Sequence, residues 1–336
     1  MSQDDRITMA HGGGGRASRQ LIEEEIARRV GGTALRGLPD AATLVAPSGG
    51  LVFSTDSFVV QPLEFPGGNI GHLAVHGTVN DVAVAGGRPL WLSLGLILEE
   101  GLPLAVLRRV LDAVAGAARA CDVEIVTGDT KVVPRGQCDG MYVNTAGVGA
   151  ALPTLALDPR SVTVGDRVLV SGSLGDHGMA VMCAREGFEL ANAPRSDTGP
   201  VHRLVAAAAA FGHGVRFMRD PTRGGLAAVL DETVEGLAVG VRLEEAHLPR
   251  SGPARAVAEL LGVDLLHVAC EGRVVAFCAP EVAPEVLRAW RALPEGHGAV
   301  DIGAVVAEPG RVTLATLAGG RRVVDVPVGE LLPRIC

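Results

Sequence analysis

Short apolar runs with period-two alternation exchange with stretches of helical spacing along the whole chain. This predicts a strand–helix alternation and an α/β (α+β) class. Helical spacing covers 18–29, closed by Gly31-Gly32, then 71–85 and 103–120, the last with a proline near its start. Strands are expected at 42–45 and 51–54, joined by a Pro47-Ser48-Gly49-Gly50 turn, at 90–98, at 123–126 running into a Thr127–Lys131 loop, and at 141–149. The stretch 150–164 is rich in proline and turn formers and marks a boundary. Beyond it come strands at 166–171, 239–243, 274–278 and 300–306, and helices at 179–186, 201–211, 226–235 and 284–292. The expected division is an arm and helix over 1–40, a first domain over 41–150, a second over 160–315, and an exposed tail over 316–336.

Composition narrows the class of function. At 336 residues, 48% hydrophobic and 20% charged, the chain can bury a full core. The longest apolar runs, 90–98 and 201–211, fall short of the roughly 20 residues that span a bilayer. No basic and apolar leader opens the chain, so the expectation is a cytoplasmic protein without a membrane segment. A net charge of −8 without a basic stripe argues against nucleic acid as a partner. The six cysteines form no C-x-x-C pair, which disfavours a zinc or thioredoxin-type site.

Several residues carry candidate chemistry. Lys131 is the one lysine among 30 basic residues, a place where a compact ammonium that can lose its proton is not replaceable by guanidinium. Asp56, Asp81, Asp129 and Asp220 are each expected at or beside the end of a strand or helix, where converging carboxylates suit Mg²⁺ and phosphates. The glycines at 12–15 can bring main-chain N–H groups to phosphate oxygens, although the run lacks the lysine of a P-loop. No strand–G-x-G-x-x-G–helix unit is present, which disfavours a nicotinamide enzyme. Cys336, the last residue, is too far along for prenylation. On a mobile end behind Pro333 and Arg334 it suits a swinging carrier thiol.

Taken together, His11-Gly-Gly-Gly-Gly-Arg16, Ser54-Thr-Asp-Ser-Phe58, Val79-Asn-Asp-Val-Ala-Val84, Thr127-Gly-Asp-Thr-Lys-Val132, Arg219-Asp-Pro-Thr-Arg-Gly-Gly225 and Pro333-Arg-Ile-Cys336 resemble the HypE family of hydrogenase maturation factors over essentially the whole chain. The internal motifs alone indicate the wider superfamily of aminoimidazole ribonucleotide synthetase, selenophosphate synthetase and thiamine monophosphate kinase, and the terminal cysteine motif narrows it. The resemblance implies a two-domain PurM-like fold whose N-terminal sheet forms a barrel with its twin in a homodimer. It implies ATP-dependent dehydration of a carbamoyl group on Cys336 to thiocyanate. Asp56, Asp81 and Asp220 would hold Mg²⁺. Gly12, Gly13, Gly14, Asp129 and Asn144 would join these aspartates around ATP, and Glu271 and Lys131 would handle protons or phosphate. The implied partners are the carbamoyltransferase HypF and the HypC–HypD scaffold that receives cyanide. Two departures stand out: Cys270 precedes Glu271 where a polar non-thiol is expected, and Gly13 stands where serine is commoner. Another synthetase or kinase of the superfamily, or a non-catalytic carrier using Cys336, remains the alternative.

Overall fold

The structure, a computed structural model, describes residues 6–188 and 190–326. Its N-terminal segment carries α1 (Arg16–Gln20), a wide π-type stretch (Leu21–Ala27) and α2 (Arg28–Val30). After an irregular stretch come β1 (Leu51–Phe58), a small hairpin of β2 (Glu64–Phe65) and β3 (Gly68–Asn69), α3 (Ile70–Val84), β4 (Gly87–Glu99), α4 (Leu104–Ala120), β5 (Glu124–Val133) and β6 (Met141–Ala151). The four long strands form one sheet in the order β1-β6-β4-β5. Only β4 and β5 run parallel, because α4 carries the chain back between them.

Helix α3 organises this half. Asn69 caps it, its Oδ1 accepting from the N–H groups of Gly71 (2.9 Å) and His72 (3.2 Å). Every residue of α3 except His72 and Asp81 is buried. A helix apolar on all sides must be covered on all sides, and α3 lies between the sheet, α4 and the C-terminal half. By contrast α4 buries one stripe, Leu104, Leu107, Val110, Leu111 and Val114.

The C-terminal half contains β7 (Arg167–Val170), α5 (Asp176–Glu186), α6 (His202–Ala208), β8 (Val215–Arg219), α7 (Gly225–Val234), β9 (Gly240–Glu244), α8 (Gly252–Leu261), β10 (Val275–Cys278), α9 (Ala283–Arg291), β11 (Val300–Val306), β12 (Val312–Ala315) and β13 (Arg321–Val323). Seven strands make a sheet in the order β13-β12-β9-β11-β7-β10-β8. Both faces are buried. Val168, Val170, Val275 and Phe277 enter one apolar cluster with α7, while Leu169, Ala276 and Cys278 enter another with α6 and α9. Uninterrupted apolar runs such as Val275–Cys278 are what a doubly covered strand requires. Side chains of α5 and α8 join the core of the N-terminal half, so the two halves share apolar packing.

The mixed α/β class agrees with the sequence reading. Three local expectations do not. Residues 42–45 form no strand, and Val45 is 89% exposed: the short apolar run has no sheet neighbour to pair with. Strand β1 continues through Asp56 to Phe58, because Ser57 and Phe58 pair with Asn144 and Val143. Strand β5 likewise runs through 127–131, paired to β4. Strands β8, β12 and β13 and helix α8 were not foreseen, and β13 lies within the span assigned to the tail.

Candidate active site

Alternation along β1 decides which side chains reach the centre. Ser54, Asp56 and Phe58 point toward α3, and Thr55 and Ser57 point away. Ser54 Oγ donates to Asp81 Oδ2 at 2.7 Å, and Asp81 lies near the C-terminal end of α3. Asp220 directly follows β8 and is buried. It is no helix cap, since α7 begins at Gly225 behind a left-handed Gly224. Glu271, just ahead of β10, is 3% exposed, so it is not a solvated turn residue, and its Oε1 has no hydrogen-bond partner.

These four carboxylates act on one another. Burial, and then the charges of Asp220, Asp197, Asp56 and Asp81, hold the Glu271 carboxyl well above the usual range. Asp220 is pushed up to about 7 by burial first and then by Asp81. Burial also raises Asp81, opposed by the Ser54 hydrogen bond and reinforced by Asp56. Arg219 and Arg223 act in the opposite sense on Asp81. Unpaired acids sharing a desolvated space bind protons or cations strongly.

A second group lies on the other face of the N-terminal sheet. Register aligns Ser57, Asn144, Gly95 and Asp129 across β1, β6, β4 and β5. Asn144 Nδ2 donates to the Asp56 carbonyl (2.8 Å) and Ser57 Oγ (3.0 Å). Lys131 Nζ is 2.7 Å from Asp129 Oδ2, and its hydrogen bond holds the Asp129 carboxyl below the ordinary range. Both side chains are about two-thirds exposed. Asp129 and Lys131 therefore lie in an edge strand rather than a loop, on the face opposite Asp56 and Asp81. In the arm, a Cβ at Gly12 would stand 2.9 Å from Val132 Cβ, so glycine lets the arm lie directly on β5. Around Gly13 and Gly14 the space is nearly open, and the Gly14 N–H donates to Ser18 Oγ (2.9 Å).

The structure adds residues that the sequence did not single out. Asp197 and Asn80 hold the main chain of Glu271, and Arg273 Nε approaches Asp197 Oδ2 at 3.3 Å without hydrogen-bond geometry. Asn80 sat in a quoted motif, but no local signal marks Asp197. Cys270 is fully buried, its thiol raised by desolvation and accepting the Gly175 N–H at 3.1 Å, which makes it a packing residue. Cys336 lies outside the described residues.

The oxygen donors fit a hard divalent cation. Among the described residues no group of three or more acidic, histidine or cysteine side chains is arranged to hold a metal ion. An open site of this kind suits Mg²⁺, which keeps waters and takes phosphate oxygens alongside one or two carboxylates. Among the described residues no helix is long and apolar enough to cross a membrane.

Comparison with known proteins places this geometry. The AIR synthase related protein N-terminal domain family matches residues 39–151, and the corresponding C-terminal domain family matches 163–315. Carbamoyl dehydratase HypE of Azotobacter vinelandii is 49% identical over 331 residues, spanning 98% of this chain and 97% of that protein. The crystal structure of hydrogenase maturation protein HypE in complex with ATP superposes with a TM-score of 0.93 at 42% identity, covering 98% of this chain and 99% of that one. A HypE–HypF complex structure matches with a TM-score of 0.81 at 40% identity, covering 91% and 99%.

Proposed function

The chain belongs to the HypE family of carbamoyl dehydratases, and we propose that the cleft between its halves uses ATP to dehydrate a carbamoyl group carried on Cys336. The carbamoyl oxygen attacks the γ-phosphorus, the bond to the β-bridging oxygen breaks, and ADP leaves. Loss of one amide proton gives an iminophosphate. The carbon–oxygen bond then breaks, phosphate departs, the remaining N–H proton is lost, and S–C≡N is left. Such chemistry needs a positioned base and neutralised phosphate charge more than a protein nucleophile.

Glu271 is the base. The observation that carries this reading is its unpartnered, buried Oε1 within the field of four aspartates. Burial, and then those neighbouring charges, raise its carboxyl well above the usual range, and positive charge entering the cluster would favour the ionised form that a base requires. Asp56, Asp81 and Asp220 would hold Mg²⁺, which supplies that charge and binds phosphate oxygens. Gly12, Gly13 and Gly14, where the arm has no side chains, would let the phosphates approach the main chain, with Asp129 and Asn144 at the nucleotide. Lys131 contacts phosphate or relays a proton.

A homodimer is part of this reading. The outer face of the N-terminal sheet leaves Leu51 57%, Phe53 67% and Ile97 41% exposed beside the Asn144–Lys131 row. A second copy covering that face would close a barrel-like sheet and enclose the row at the interface. HypF loads the carbamoyl group, the HypC–HypD scaffold receives the cyanide for the iron of a nickel–iron hydrogenase, and the protein works in the cytoplasm.

Intact-mass analysis of the protein with HypF, carbamoyl phosphate and Mg-ATP tests the reading. A carbamoyl adduct should appear, absent in Cys336→Ala, and should lose one water only with ATP. An unmodified Cys336, or dehydration without nucleotide, would overturn it.

A further inference from the structure

Glu271 belongs to no strand or helix, yet both of its main-chain polar groups are held. Its N–H donates to Asp197 Oδ1 at 3.1 Å. Its carbonyl accepts from Asn80 Nδ2 at 3.3 Å and from the Gly199 N–H at 3.4 Å. Asn80 is 1% exposed and reaches further: Nδ2 also donates to the Gly199 carbonyl (3.0 Å), and Oδ1 accepts the Val201 N–H (2.8 Å). The amide orientation follows from these partners, since two are carbonyls and one is an N–H. Residues 196–201 thus form a strap across the junction of the two halves.

The strap is anchored at both ends of its contact. The Ser196 N–H donates to the Pro66 carbonyl (2.8 Å), and Thr198 Oγ1 meets His76 Nδ1 of α3 (3.2 Å). On the other side a Cβ at Gly272 would stand 1.9 Å from the Asp197 carbonyl oxygen, so strap and Glu271-Gly272 meet main chain to main chain. Arg273 reaches back, its Nε 3.3 Å from Asp197 Oδ2 and donating to the Ser173 carbonyl at 3.1 Å.

We propose that Asn80 and Asp197 are positioning residues that clamp the main chain of Glu271 against α3, so that one helix sets the separation of the N-terminal carboxylates from the base. Asn80 precedes Asp81, and consecutive residues of a buried helix cannot move independently. The clamp rests on the reading of Glu271 as the base. Displacement of a reacting group by about 1 Å can cost about 100-fold in rate.

Asn80→Asp keeps shape and the acceptor for Val201 but turns an oxygen toward two carbonyls. Thiocyanate formation by the carbamoylated protein should show kcat lower by about 100-fold, with the KM for ATP and the ATP-induced rise in Tm retained. Asp197→Ala tests the other jaw and should lower kcat by about 10-fold with KM unchanged. Wild-type kcat in Asp197→Ala, or in a folded Asn80→Asp, overturns the clamp. So does a parallel loss of kcat and of ATP binding in Asp197→Ala, which would assign the strap to folding alone. Glu271→Gln separates the two ideas. If it remains active, the base reading fails; if it is inactive while both clamp variants turn over normally, only the clamp fails.

Discussion

The two faces of the N-terminal sheet hold the same residue type in opposite electrostatic situations. Toward α3, Asp81 and Asp220 share a desolvated space with Glu271, and burial raises them, Asp220 to about 7. On the open face, Asp129 has Lys131 at 2.7 Å and lies below the ordinary carboxylate value. The difference is one of satisfaction. The inner acids are left short of positive charge and store an affinity for a cation. The outer acid already has its cation, and its face lacks a cover. The inner acids are left to receive positive charge, while the outer row has its charges paired and lies open.

The largest break in this contrast should come from Glu271→Gln, which removes the proposed base while keeping its volume. Thiocyanate production should fall by about 1000-fold with ATP binding preserved, read by mass and by nucleotide-dependent thermal shift. Asp81→Asn relieves the inner repulsion and takes away a proposed cation ligand. The Mg²⁺ concentration for half-maximal turnover should rise by about 10- to 100-fold, measured by titration at saturating ATP. On the outer face, Lys131→Arg keeps the charge but not the compact ammonium, and kcat should fall by about 10-fold in the same assay.

Protonation sharpens the comparison further. The folded-state value of Asp220 is raised from an ordinary 3.8 to about 7. The folded protein therefore holds that proton more tightly than the unfolded chain. Its stabilising contribution is complete below about pH 4 and is lost as pH rises through about 7. Metal-free protein should lose on the order of a few kcal/mol between about pH 5 and pH 8, and Asp220→Asn should flatten that slope in thermal denaturation. The smallest effect is expected from Asp129→Asn. An exposed ion pair contributes little, and its loss should move the stability of the fold by less than about 0.5 kcal/mol in chemical denaturation.

Much of the fold was legible because period and length agreed. The 90–98 run was expected as a buried strand and is a strand, though with one open face on which Ile97 is 41% exposed, and α4 announced itself by its single stripe and its proline. Residues 42–45 misled because an apolar run carries no information about whether a sheet neighbour exists. Asp56 was expected just after a strand and Lys131 in a loop because glycine and polar residues look like loop, whereas the ladder to β6 and β4 extends both strands. Helix α8 was missed although Ser251, accepting the Ala254 N–H at 3.2 Å, and Pro253 mark its start. At the site, the aspartates were visible as types in motifs. Their division between two faces was not, because it depends on the parity of β1 and β5. Asp197 was invisible for a different reason: its role arises from contact with a residue 74 positions away.

The close fit around α3 has a consequence for variation at a distance. At Gly71 a Cβ would stand 2.4 Å from the Val110 carbonyl oxygen of α4. Ten residues along the same rod, about 15 Å away, sit Asn80 and Asp81. A bulkier residue at that first turn would meet main chain rather than a movable side chain, so the two helices would have to part. Filling space along the α3–α4 contact should therefore lower the melting temperature rather than raise it.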